Sequence, residues 1–227
     1  MEPIELTHPR PTKQSVSIVL LGSFTPLIYQ PLWLAQHELI RQKEADEAEV
    51  KIIHPQVAEF HTPWFLLQAT TGRLFLQTAE ESFTEPLRDL VLAILQLTNY
   101  TPLKAMGVNL EAHYSMEDEK NWHNAGDRLA PKELWDPLLN KPGLRTMTME
   151  GKRQDRFSGA IHVKVEPSTA IQFGIYVEVN DHFELGEDGK LSKDTSLAQE
   201  ILTEEWQNLR ARSNMIGTAV ANIGKGS

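Results

Sequence analysis

The chain contains no cysteine. That excludes disulfides, thiolate nucleophiles and cysteine-ligated zinc or iron–sulfur centres. It also lacks any apolar run near the roughly 20 residues that a membrane-spanning helix needs. Residues 1–14 are polar and proline-rich, with no basic stretch followed by an apolar one, so they read as a flexible N-terminal arm rather than a secretion signal. These absences point to the cytoplasm. Positive charge is scarce: 22 Lys and Arg face 31 Asp and Glu, for a net charge of -9. Proteins that grip phosphates cluster Lys and Arg, so neither direct nucleic-acid binding nor an anionic membrane is expected. The densest basic stretch, Gly151 to Arg156, carries its own acid, Asp155, and reads as a polar hairpin connection. Phosphate-cradling glycine loops, a GxSxG nucleophile elbow and an HExxH helix are all missing, which argues against the common nucleotide-dependent enzymes, serine hydrolases and zinc proteases.

What is present is an ordinary globular composition, with 41% apolar and 23% charged residues over 227 positions. The element pattern runs twice: strand, helix, a run of antiparallel strands, helix. The first pass covers residues 15–100 and the second residues 101–227, with Tyr100-Thr101-Pro102 as the boundary. The expected fold class is α+β: a mainly antiparallel sheet from two β-α-β-β-β-α halves that share one sheet, with helices packed on one face. Residues 15–21 form a buried strand, and Pro31 starts a helix whose far end, residues 44–49, is acidic and solvated. Strands follow at residues 50–54, 57–61, 64–70 and 73–78, with a hairpin at Thr70-Thr71-Gly72-Arg73. Thr84 is placed to cap a helix in which Leu87, Leu90, Val91, Ile94 and Leu95 repeat at the spacing of one buried face.

In the second half, Met106, Val108, Leu110 and Ala112 alternate with polar residues. Residues 115–130 are polar and read as an insertion or frayed helix, and Pro131 opens a short helix through Leu138, with Pro137 inside it as a potential break. Strands around Met147 and Met149, around Ile161 to Val165 and around Phe173 to Val179 follow the same alternation. Residues 186–189 form a turn. Ser196 with Gln199 makes a capping box for a last helix carrying Ala198, Leu202, Trp206, Leu209, Ile216 and Val220 on one stripe, weakened by Gly217 and Gly224.

The alternation gathers Glu111, His113, Thr148, Glu150, His162, Lys164, Glu166, Glu178, Asn180 and His182 onto polar strand positions, a candidate binding face. Such residue types suit an oxygen–nitrogen metal site or acid–base catalysis, although any exposed sheet face carries them. No catalytic residue, metal or cofactor is assigned. His54 and His61 read as turn-end histidines that satisfy backbone carbonyls. Trp122-His123 reads as an anchor for the insertion or a pocket rim. Residues 126–132 read as a turn with an Asp127–Arg128 pair, and Trp206 as core.

Four segments carry a resemblance: residues 54–60, 87–92, 126–132 and 179–182. Together they resemble a sporadically distributed family of uncharacterised bacterial proteins, over residues 17–216. The tandem topology also resembles the saddle of the TATA-binding protein, as an analogy of fold alone. The patchy distribution implies an accessory role, such as phage defence or toxin–antitoxin systems. The expected function is a non-catalytic interaction subunit or regulator whose partner is another protein or its own copy. The alternatives are a metal-assisted hydrolase using Glu111, His113, His123 and His162, and a small-molecule sensor.

Overall fold

The computed structural model describes residues 9–186 and 190–224. Most of the N-terminal arm (residues 1–8), most of the turn after Gly186 and residues 225–227 lie outside the described residues. The described chain forms an α+β fold built on one antiparallel sheet of nine strands, in the order β2-β3-β4-β5-β1-β6-β9-β8-β7. The strands are β1 (Lys13–Gly22), β2 (Glu49–His54), β3 (Val57–His61), β4 (Leu66–Thr70), β5 (Arg73–Thr78), β6 (Leu103–Ser115), β7 (Met147–Lys152), β8 (Gly159–Pro167) and β9 (Gly174–Glu184).

β1 and β6 open the two halves and lie side by side at the centre, in the register Val16↔Leu110, Ile18↔Val108 and Leu20↔Met106. Each half then runs outward to its own edge, β2 on one side and β7 on the other. The first half has four strands after its opening helices where three are expected from the repeated pattern, while the second has three.

Period-two alternation decides which side is buried. Val16, Ile18, Leu20, Leu74, Leu76, Val108, Val177 and Val179 point to one side and are buried there. The helices α1 (Pro31–Gln36), α2 (Gln42–Asp46), α3 (Thr84–Leu97), α4 (Glu119–Leu129), α5 (Ser196–Glu204) and α6 (Trp206–Asn222) supply the other elements. α3 packs on β1, β5 and α5, and α6 packs on β6 and β9. Leu87, Leu90, Val91, Ile94 and Leu95 are the buried stripe of α3, as their spacing predicts.

Several local expectations need correction. Glu44 is 9% exposed instead of solvated. It sits in α2 and accepts from the Arg41 amide at 2.8 Å and from Trp64 Nε1 at 2.9 Å. The Arg41 guanidinium beside it holds its carboxyl below the usual glutamate range. Thr84 does not cap α3; it lies in the first turn and donates to the Glu81 carbonyl at 3.0 Å. Residues 119–129 form an ordered helix, started by Asp118 Oδ1, which accepts from the Asn121 amide at 2.7 Å. Residues 131–138, expected to be helical, form only turns, since Pro137 removes a donor that a helix would need.

The last helix breaks at Glu205 into α5 and α6. Its N-terminus is set by Thr195 instead of a Ser196 capping box: the Thr195 hydroxyl donates to the Leu95 carbonyl at 3.0 Å and accepts from Gln199 Nε2 at 2.7 Å. The buried line of α6 is Trp206, Leu209, Ser213, Gly217 and Ala221, shifted from the stripe through Ile216 and Val220. Gly217 has a packing role: a Cβ there would stand 2.2 Å from Tyr114 Oη.

Candidate functional site

The side of the sheet away from the helices carries all ten residues of the candidate face, arranged in four rows by strand register. Glu111, Glu178, Lys164 and Thr148 form one row across β6, β9, β8 and β7. His113 opposes Tyr176, which opposes Glu166. Asn109, Asn180, His162 and Glu150 form a third row, and His182 opposes Gly107 in the fourth. Gly107 makes room at the centre, since a Cβ there would meet Asn180 Nδ2 at 3.1 Å.

The first row brings two carboxylates face to face, an unfavourable pairing that its neighbours compensate. Lys164 Nζ lies 3.4 Å from both Glu178 and Glu166. Tyr176 Oη donates to Glu178 Oε2 at 3.1 Å, and Ser15 Oγ donates to Glu111 Oε2 at 3.2 Å. Burial, and then repulsion from Glu178, pushes the Glu111 carboxyl above its ordinary value. Burial and the two nearby acids push the Tyr176 phenol up as well.

The third row continues as a hydrogen-bond chain across five strands. Asn109 Nδ2 donates to Ser17 Oγ at 3.0 Å, and Asn180 Nδ2 donates to Asn109 Oδ1. His162 then joins Asn180 Oδ1 at 3.3 Å through Nδ1 and Glu150 Oε2 at 3.2 Å through Nε2. A neutral imidazole donates to only one of these acceptors at a time. The polar groups of this face thus largely satisfy one another.

The four residues of the hydrolase alternative are not brought together. Glu111 binds Ser15, His162 binds Asn180 and Glu150, and His123 lies on α4 at 3.7 Å from Glu119. Among the described residues, no group of three or more His, Asp and Glu is placed to hold a metal ion.

His113 Nδ1 lies 2.8 Å from Ser168 Oγ, the geometry of a base beside a nucleophile. The serine oxygen, however, also accepts the amides of Ala170 at 3.1 Å and Ile171 at 3.0 Å. Those two amides occupy its lone pairs and make it a turn cap. Of the flanking histidines, His54 Nδ1 accepts from the Gln56 amide at 3.3 Å, so it satisfies an amide and not a carbonyl.

Three features lie outside the ten-residue face. The first lies on the helix side: Asp181 is fully buried, and its Oδ1 accepts from Arg153 Nη1 at 2.9 Å and from Arg212 Nη2 at 2.7 Å. Arg153, expected in a polar hairpin connection, is 1% exposed, stacks 3.8 Å over the Phe183 ring and is forked by Asp155. The acid phased with Val177 and Val179, together with unmatched arginines elsewhere, was the available signal.

The second is a cavity of about 400 Å³ between α4 and residues 132–144, walled by Trp122, Leu144, Pro167 and Ile175. Trp122 anchors the insertion, donating from Nε1 to the Gly174 carbonyl at 3.0 Å, and also lines this cavity. Asp127 on its wall pairs with Lys132 at 2.6 Å instead of Arg128, which donates to the Ile223 carbonyl at 2.8 Å.

The third is the turn segment that bounds this cavity. Leu134, Trp135, Leu138 and Leu139 are 67%, 45%, 69% and 54% exposed. The turns are closed by the Trp135 amide on the Lys132 carbonyl at 2.7 Å and the Leu138 amide on the Trp135 carbonyl at 2.8 Å.

Among the described residues, no helix is long and apolar enough to cross a membrane. No protein-family model matches the chain, and no curated protein is significantly similar to it.

Proposed function

We propose that this chain is a non-catalytic interaction subunit or regulator that binds a partner protein. The observation that carries this reading is the cluster Leu134, Trp135, Leu138 and Leu139, four large apolar side chains exposed within six residues. Contiguous exposed apolar surface marks interaction sites, and aromatic anchors such as Trp135 supply most of the energy at protein interfaces. The polar face supports the reading from the other side, because its charged groups are paired with each other. The resemblance to a sporadically distributed bacterial family supports an accessory or defence system as the setting.

The test is capture of a partner by the tagged full chain from its native host, with wild type and Trp135→Glu/Leu138→Glu compared. A stoichiometric partner held by the wild type and lost by the variant is expected, with both proteins unfolding at the same temperature. A partner retained equally by the variant would refute this surface.

The cavity beside α4 favours a second reading, a small-molecule sensor. Its volume of about 400 Å³ lies within the range of about 300–1,000 Å³ usual for ligand sites. Gly126 lines it, and a Cβ there would meet only Leu144 Cβ, at 4.0 Å. Gly126→Leu would therefore fill the cavity and abolish any ligand-induced rise in melting temperature found for the wild type.

A further inference from the structure

The two edges of the sheet are built differently. β2 carries a bulge between Val50 and Ile52 that leaves Lys51 without a cross-strand partner. Bulges and edge lysines are devices that keep another strand from adding. β7 has no bulge: its register with β8 is continuous from Met147↔Val165 to Lys152↔Ala160, and its one lysine, Lys152, is the last residue of the strand. Its second edge offers a regular row of backbone donors and acceptors.

The apolar side of this edge is also incompletely covered. Met149 is 59% exposed. Beside it, Ile161 and Val163 are half-buried, while α6 packs on β6 and β9 instead.

We infer that β7 pairs antiparallel with β7 of a second copy of this chain, joining two sheets into one. This deepens the interaction reading, on which it rests, by naming one partner. Strand parity, charge and the length of pairing select the register, and one centred on Thr148 pairs only Met147 to Met149 of the strand. Opposed residues must share a face, so a one-residue slip would put Met149 on the polar side. The register centred on Glu150 sets two carboxylates directly against each other. The one centred on Gly151 ends after three residues and turns Met149 toward Arg153, whose guanidinium is already held by Asp155 and Asp181.

The register centred on Met149 pairs five of the six strand residues, Met147 to Gly151, with one another. It sets Met149 on Met149 of the second copy and Met147 on Gly151. Thr148 then opposes Glu150, whose Oε2 faces His162 at 3.2 Å and whose other oxygen is left to accept the threonine hydroxyl. Lys152, which has no ion-pair partner among the described residues, comes opposite Thr146. Behind Thr146 stands Glu166, which accepts its hydroxyl at 2.9 Å, so the ammonium approaches a carboxylate.

The absence of cysteine makes the test clean. Directly opposed residues have Cα atoms about 4.5–5.5 Å apart, inside the roughly 4.4–6.8 Å that a disulfide spans. At tens of micromolar, the full-length wild type is expected to show a native mass of twice 25.7 kDa. Met149→Cys is expected to cross-link into a covalent dimer on mild oxidation. Thr148→Cys, which would oppose Glu150, and Val50→Cys on the other edge are expected to stay uncross-linked. Met149→Lys is expected to run as a monomer with an unchanged circular-dichroism spectrum.

A monomeric wild type would overturn the self-pairing and leave the Leu134–Leu139 surface to its own capture experiment. Cross-linking through Val50→Cys, or a dimer indifferent to Met149→Lys, would overturn it as well.

Discussion

Arg212 on α6 donates from Nη2 to Oδ1 of Asp181 on β9 at 2.7 Å, joining the helix layer to the sheet. Arg153, from the β7–β8 connection, meets the same oxygen at 2.9 Å. Asp181→Ala is therefore expected to remove the carboxylate paired with Arg212 and one of the two paired with the buried Arg153. The loss should be about 3–5 kcal/mol, the usual cost of breaking a buried pair from one side. Urea unfolding of variant and wild type measures it, and a loss under about 1 kcal/mol would refute the role of this cluster as a clamp.

Gly217 offers a second test, because helix propensity and packing oppose each other there. Alanine in place of glycine favours a helix by about 1 kcal/mol. A Cβ at this position would stand 2.2 Å from Tyr114 Oη and 3.0 Å from its Cζ. Packing should win, with Gly217→Ala destabilised by about 1–3 kcal/mol. Adding Tyr114→Phe removes the closest atom and should recover part of that loss in the same thermal melt.

Acidification should act through His182. Burial, with the neighbouring His162 as the next cause, depresses its imidazole below the ordinary value of 6.5. A base whose folded value is depressed binds more protons unfolded than folded in that window. The stability it contributes is thus complete above 6.5 and is lost as the pH falls toward the folded value. His182→Gln should flatten this limb of the stability–pH profile, and a proton-resonance titration should place the imidazole below 6.5.

Glu111 has the opposite sign. Its folded value is raised by burial and then by Glu178, so the folded state holds more protons than the unfolded above the ordinary value of 4.5. Its contribution to stability falls as the pH rises from that point through the folded value, so ionised Glu111 opposes folding at neutrality. Glu111→Gln should leave the protein at least as stable as wild type at pH 7, while Glu178→Gln should lower the Glu111 value. A carboxyl titration by NMR checks both.

The strand side of this architecture was legible because alternation is a local signal. Ile161, Val163 and Val165 against His162, Lys164 and Glu166 fixed both faces of β8, and the same logic put Glu111 and Asn180 on one surface. The clamp was not legible as a unit: Asp181 and Arg212 are 31 positions apart. Nothing in residues 151–156 distinguishes the buried Arg153 from the exposed Arg156. Glu44 was missed for a similar reason, since its partner Trp64 arrives 20 residues later. The helix expected over residues 131–138 from Pro131 is defeated by Pro137, and Leu134, Trp135 and Leu138 lie at the surface and not in the core.

The central position of β1 has a consequence for how the chain assembles. Among the described strands β1 is made first, yet one of its two neighbours is β6, in pairs such as Lys13↔His113. Until β6 is made, β1 is an open edge bearing Val16, Ile18 and Leu20, and the first half by itself resembles a sheet waiting for a strand. Contacts that distant in sequence slow folding and prolong exposure of such edges. The two halves are thus unequal in time: the second arrives as the template that finishes the first, and cutting the chain near Thr101 should give one aggregating fragment and not two domains.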